Sequence, residues 1–268
     1  LMGKTTVFTA MEAAEAQQLL GMAGFKTNQI IEALPHTLNL AAAGAIDLAT
    51  AADISSNILS GFGMKAKDLG KVNDILVNTF TRSNVTLETL GETMKYVAPI
   101  AKNLGVPLVE VAAMAGVLGN AGLKGSMAGT ALASSMQNLA STTSPGAKAL
   151  KALGVNVADA SGNMLPLMDI FEALNKATNG MGNLQKTDIV SRIFGKEAAA
   201  EITALLDKTK GGDLAKFADE LKVSGTASAT AARQMATAQG AMKLFESASQ
   251  DLFITLGNTL LPTVTALI

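Results

Sequence analysis

Apolar residues recur along most of this chain at alternating spacings of three and four, the period that lays one stripe along an α-helix. The clearest case is Leu87, Leu90, Met94, Val97, Ala101 and Leu104, which predicts a helix opening after Thr86. Pro99 falls late in that helix, where it removes a backbone donor and crowds the carbonyl near Lys95, so a kink or early end is expected. Gly105 offers a left-handed cap, and Pro107 restarts the chain at a first-turn position. A second helix runs from Pro107 to Ala121 with Glu110 as its only charge. Gly122-Leu123-Lys124-Gly125 breaks it, and Ser126 opens a third through Met127, Leu132, Met136 and Leu139.

The polar positions matter as much as the apolar ones. Between Asn103 and Ala147 only Glu110 and Lys124 are charged. A helix facing water keeps a polar face, so these two helices are expected either at the centre of a domain or under another subunit. Gly, Ala and Ser are frequent here, which favours tight helix-on-helix packing over a ligand cavity.

The same reading covers the rest of the chain. Helices are expected over Thr5 to Gly21, with Met11, Ala14, Leu19 and Leu20 inward, and over Asn28 to Leu34 behind a Thr27 cap. Pro35 begins another, through Leu38, Leu40 and Ala43. Asp47 to Phe62, closed by Gly61 and Gly63, and Lys67 to Phe80 follow. After Pro145 a short helix reaches Leu153. Val155-Asn156-Val157, the turn-rich 159–163 and Met164-Leu165 predict a small β-hairpin near 155–165, the only strand signal. Pro166 then starts a helix through Met168, Ile170, Phe171 and Leu174, and Thr187 caps one through Ile189, Ile193 and Phe194. Glu197 to Leu206 and Asp213 to Leu221 complete the globular part. The fold class is all-α for the most part: a multi-helix core with one small hairpin and a long C-terminal helix.

That last helix has its own rhythm. Ala231, Met235, Ala238, Met242, Phe245, Leu252, Leu256 and Leu260 keep a four-three step, with Ser249 at the one polar position. This is a coiled-coil-like seam. Unbroken from about Ser228 to Leu261, the helix would span on the order of 50 Å. Gly240 and Gly257 weaken it, and Pro262 bends or ends it. Two readings stand: an ordinary core helix, or the start of an extended rod that packs against copies of itself. The expected domains are a helical core over 1–224 and a long helix over 225–268. Leu252 to Ile268 has no charge but holds Thr255, Asn258, Thr259, Thr263 and Thr265, whereas a spanning helix wants about 20 mostly apolar residues. Leu1 is not an initiator and Ile268 stops inside an apolar segment, so the chain is expected to be a piece of a longer protein. No signal-peptide pattern follows Lys4.

Tyr96-Val97-Ala98-Pro99-Ile100-Ala101, Leu104-Gly105-Val106, Ala121-Gly122-Leu123-Lys124-Gly125-Ser126 and Ala128-Gly129-Thr130-Ala131-Leu132 together resemble the core domain of bacteriophage tail tape-measure proteins. Met22-Ala23-Gly24-Phe25, Asp47-Leu48-Ala49, Ala52-Asp53-Ile54, Leu153-Gly154-Val155 and Phe194-Gly195 extend the resemblance, which covers roughly 8 to 206 in family order. It implies a virion structural protein that sets tail length, occupies the tail tube lumen and is released during genome delivery. It also implies a place in the virion tail and, during assembly, the host cytoplasm. The partners implied are copies of itself, the tail tube, tail-tip or baseplate proteins and tail assembly chaperones. It brings no catalytic residue and no cofactor.

Composition narrows the chemistry. Hydrophobic residues make up 49% of the 268 and charged residues 16%, with no Trp and one Tyr, so the apolar content is mostly small and aliphatic. A net charge of −1 argues against a phosphate-backbone binder, and no nucleic-acid binding is expected. Without Cys there is no disulfide, thiolate metal site or Cys-His pair, and the single His36 rules out a multi-histidine site. Gly61-Phe62-Gly63-Met64-Lys65-Ala66 and Gly119-Asn120-Ala121-Gly122-Leu123-Lys124-Gly125-Ser126 loosely match nucleotide loops, but both lack the leading strand such loops need. Glu88 and Glu92, one turn apart beside Lys95, are the nearest approach to a glycosidase acid pair. No catalytic, cofactor-binding or metal-binding residue is assigned. The alternatives to a structural protein are a membrane-active helical protein in contact with the host membrane and, further off, a peptidoglycan hydrolase.

Overall fold

The hydrophobic periodicity becomes helices in a computed structural model that describes residues 7–208 and 212–265. In chain order they are α1 (Ala10–Met22), α2 (Thr27–Gly44), α3 (Leu48–Gly61), α4 (Leu69–Arg82), α5 (Leu87–Leu104), α6 (Leu108–Asn120) and α7 (Ser126–Ala140). They continue as α8 (Pro145–Ala152), α9 (Leu167–Ala177), α10 (Asn183–Phe194), α11 (Ala199–Lys208), α12 (Asp213–Glu220), α13 (Thr226–Met235) and α14 (Ala238–Thr265). The chain is all-α. The expected hairpin shrinks to one antiparallel bridge between Ala158 and Met164. Its turn is knitted by Asp159, whose carboxylate accepts the Ser161 and Asn163 amides, each at 2.9 Å. Those bonds, Asn163 first, hold the Asp159 carboxyl below its ordinary range.

Local chemistry starts and stops the helices. Thr9 and Glu12 close a reciprocal capping box on α1, Thr86 caps α5 through the Thr89 amide, and Ser144 caps α8 through the Ala147 amide. Gly105 ends α5 at φ 72°, a left-handed cap that a side chain would strain. Six expectations need correction. The helix expected from Thr5 opens at Ala10 and buries the line Ala13, Ala16 and Leu20, which turns Met11 and Ala14 to solvent. The cap position of α2 is Lys26, so Thr27 is its first helical residue and caps nothing. Pro35 lies inside a continuous α2 and starts no new helix, and Pro99 does not end α5 early. Both prolines are exposed, as are Ile31 and Lys95, so the carbonyls that lose a donor lie on the solvent side. Thr187 is interior to α10, which opens four residues earlier at Asn183. The buried residues Val190, Ile193 and Phe194 all fall in its second half, so periodicity is silent over its first turn. Finally, the helix expected from Ser228 to Leu261 is two helices, α13 and α14, parted at Ala236 and Thr237.

The chain gathers into two compact units. The first takes the described residues up to Ser56, then Ala66–Asn73, then those from Gly225 onward. Its core sets α1 on α2 and α2 along α13, burying Phe8, Ala16, Leu20, Leu38, Leu40 and Ala231. The segment from Gly225 therefore groups with the N-terminal helices. His36 lies over Gly70, where an added methyl would come within 2.9 Å of the imidazole.

The second unit takes Asn57–Lys65 and Asp74–Ser224. Its densest crossing is α5 on α7 at Gly129, where an added methyl would sit 2.9 Å from the Thr93 carbonyl oxygen. Val111 to Gly119 of α6 are buried without exception. α8 meets α10 at Gly146, where an added methyl would fall 2.9 Å from the Ile193 Cα and carbonyl oxygen, closer than a side chain can stand. Phe171 and Phe194 stack with ring centroids 5.9 Å apart. Asn78 reaches from α4 to the Leu221 and Val223 carbonyls at 3.2 and 2.9 Å.

Candidate functional site

The two weakly charged stretches of the sequence have opposite fates. α6 and α7 are core of the second unit, covered by their own chain, so their poverty of charge needs no partner subunit. Even Glu110 is absorbed: its carboxylate accepts the Leu167 amide at 2.9 Å and caps α9. Burial raises the Glu110 carboxyl above its ordinary range, nearby Asp169 adds to this, and the Leu167 and Met168 amides offset it only in part.

α14 is the other case. Thr237 starts it: its hydroxyl donates to the Gln234 carbonyl at 2.6 Å and accepts the Gly240 amide at 3.1 Å. Gly240 and Ser247, seven residues apart on one line, face inward, and the Ser247 hydroxyl donates to the Phe8 carbonyl at 2.8 Å. The outer face holds the predicted seam. Met242 is 68% exposed, Phe245 73% and Leu252 57%, and Phe253 beside them is 71% exposed. Ser249 is half-buried. Ala231, the first member, is buried on α13. The side chains of Ala238, Leu256, Leu260 and Pro262 lie outside what is described, as do all those of the uncharged stretch from Leu256 onward. Exposed large apolar side chains repeated on one helix face make α14 a candidate contact surface.

Its strength can be bounded. Burying a large apolar side chain is worth about 1.5–3 kcal/mol, so Met242, Phe245 and Leu252 of two facing helices together offer at most about 9–18 kcal/mol. Association costs about 4–15 kcal/mol in lost freedom. One short pair of faces is therefore marginal, and several copies or a longer helix make it firm.

A cleft of mixed lining in the second unit, with Met127, Ala131 and Ala198 among its walls, escaped sequence reading. Ser126, Thr130 and Ser134 on one face of α7 oppose Glu197 and Glu201 across about 300 Å³. The Glu201 Oε2 is buried there without a protein hydrogen-bond partner. Only the i, i+4, i+8 spacing of the three hydroxyl residues hints at it in the sequence.

The remaining candidates scatter. Gly61 to Ala66 is the end of α3, with Gly63 at φ +68° under the Lys102 side chain. Gly119 to Ser126 is the corner from α6 to α7. Glu88 is exposed on the first turn of α5, and Glu92 pairs with Lys95 at 3.2 Å on the same outer face. Among the described residues no three metal-capable side chains gather, and no helix is long and apolar enough to cross a membrane.

The family model of phage-related minor tail proteins matches residues 1–195. The chain is similar to a tape measure protein of Pneumococcus phage Dp-1, 36% identical over 206 residues, which cover 77% of this chain and 18% of that protein. It is also similar to a probable tape measure protein of Escherichia phage P2, 31% identical over 259 residues, which cover 94% of this chain and 32% of that protein. The chain thus spans between about a fifth and a third of the length of these curated relatives. No solved structure matches it.

Proposed function

This chain belongs to the phage-related minor tail protein family, and on that premise we propose that it is a helical structural segment of a tail tape measure. In this reading the polypeptide that carries it assembles in the host cytoplasm and occupies the tail tube lumen. There it sets tail length, and it leaves the virion during genome delivery. The segment works through non-covalent contacts and performs no covalent chemistry. Its first partner is a second copy of itself along α14, which begins an extended rod. Tube, tip or baseplate and chaperone proteins of the tail are its further partners.

The observation that carries this reading is the exposed Met242, Phe245 and Leu252 face of α14, in the four-three step that lets like helices interlock. The printed names of the two phage relatives support the tail role. The test is complementation of a phage that lacks the full-length protein, with complete tails counted by electron microscopy. Met242→Lys combined with Phe245→Lys is expected to cut complete tails at least tenfold. Leu184→Lys, at an exposed apolar position of the second unit, is expected to leave them unchanged. Equal counts for both variants would contradict the reading.

A further inference from the structure

We propose that the corner between α13 and α14 is a hinge that straightens when copies of the chain assemble, joining the two helices into one rod. This rests on the self-association reading above. The apolar rhythm is the first support. Ala231, Met235, Ala238, Met242 and Phe245 step by four, three, four and three, so the phase runs through Ala236 and Thr237 without a reset. Two helices that never join have no reason to share a phase, because an inserted or deleted residue between them would cost nothing. In the bent chain that single stripe is divided, with Ala231 buried and Met242 and Phe245 exposed. Straightened, it is one continuous seam.

The corner itself has no strong breaker. Met235-Ala236-Thr237-Ala238-Gln239 contains neither Pro nor Gly, and Ala, Met and Gln are good helix formers. The bend is held by local bonds. The Thr237 amide donates to the Gln234 carbonyl at 3.1 Å, and the Thr237 hydroxyl bridges that carbonyl and the Gly240 amide. Gly240 is the residue the bend requires: an added methyl would fall 2.6 Å from the Met235 carbonyl oxygen and 2.7 Å from its Cα. In a straight helix the same glycine is the least favoured non-proline choice. Position 240 thus favours the bent form, and a second copy laid along the seam favours the straight one. Straightening also draws Ser247 away from the Phe8 carbonyl, so a lone chain has that further tie to the bent form.

The chain has no cysteine, so Ser228→Cys and Gln250→Cys, both at exposed positions, give two unique sites for spin labels. In one straight helix their backbones lie about 33 Å apart, and the bend makes that distance shorter. Dipolar spectroscopy on labelled chain diluted into unlabelled chain should show the short distance at low concentration and the long one in assembled particles. Assembled particles that keep the short distance would overturn the hinge while leaving self-association intact. If no assembly forms, the self-association reading fails, and the hinge is decided in the monomer by two variants. Gly240→Ala is expected to raise the long-distance fraction several-fold. Ala238→Pro, at the first position of α14 where proline is welcome but where a through-going helix forbids it, is expected to abolish that fraction. Identical distance distributions in these two variants would overturn the hinge in either case.

Discussion

Gly129→Ala and Gly21→Ala are the same chemical change in two helices, and the structure gives them opposite signs. Neither glycine has a positive φ, so each gains about 0.8–1 kcal/mol of helix propensity on becoming alanine. At Gly21 the new methyl meets only the Ile30 Cδ1, at 3.8 Å, an ordinary contact. The variant should be stabilised by about 0.5–1 kcal/mol. At Gly129 the methyl lands 2.9 Å from the Thr93 carbonyl oxygen and 3.0 Å from the Tyr96 Cβ. Both belong to the α5 backbone or its first side-chain atom, so no rotamer change relieves them and α5 itself must move. Overpacking of this kind costs about 1–3 kcal/mol, which offsets the propensity gain and leaves a net loss of up to about 2 kcal/mol. Urea unfolding followed by circular dichroism reads it directly. With a slope of about 2 kcal/mol/M, Gly129→Ala should lower the midpoint of its transition by up to about 1 M, and Gly21→Ala should raise its own. Shifts of the same sign would refute the claim that backbone proximity decides the role of these glycines.

Three further outcomes follow from single side chains. Glu110 has a folded-state pKa above its unfolded value, so its ionisation opposes folding; the penalty is complete above the folded pKa and fades as pH falls toward the unfolded one. Glu110→Gln keeps the acceptor for Leu167, so its stability relative to the parent chain should rise between pH 4 and pH 7 in urea titrations, and a flat difference would count against the burial argument. Asp47 behaves oppositely. Burial pushes its carboxyl up, but the Thr50 hydroxyl and amide outweigh that and lower its pKa, so its capping of α3 is present above the unfolded value and lost as pH falls through the folded one. Asp47→Ala should cost about 1 kcal/mol at pH 7 and progressively less in acid, measured the same way. Asn78→Ala removes two hydrogen bonds to the chain after α12 and should cost about 1–3 kcal/mol, with an unchanged midpoint as the contrary result.

How far the sequence reaches can be judged from these residues. The succession α5, α6, α7 is legible because Thr86 and Gly105 cap α5 and Pro107 precedes α6, each acting on its immediate neighbours, and capping is local chemistry; Ser126 opens α7 without capping it. Pro35 and Pro99 mislead because their effect depends on which side of the helix meets water, which only the packed chain decides. Glu110 reads as a lone charge on an apolar helix; that it caps α9, 57 residues downstream, is a tertiary fact. The seam of α14 is legible as a rhythm, but not its division between a buried Ala231 and an exposed Met242. The corner that divides it falls at Ala236 and Thr237, where no residue announces a stop.

The account centres on α14 presenting its apolar face to other copies of the chain, while α6 and α7 are satisfied from within. Light scattering over a concentration series, run on the parent chain and on the Met242→Lys, Phe245→Lys double variant, tests this most directly. The particle mass of the parent should climb above the single-chain 27.4 kDa as concentration rises, and the variant should stay there with unchanged helix content. Equal masses for the two at every concentration would contradict the account.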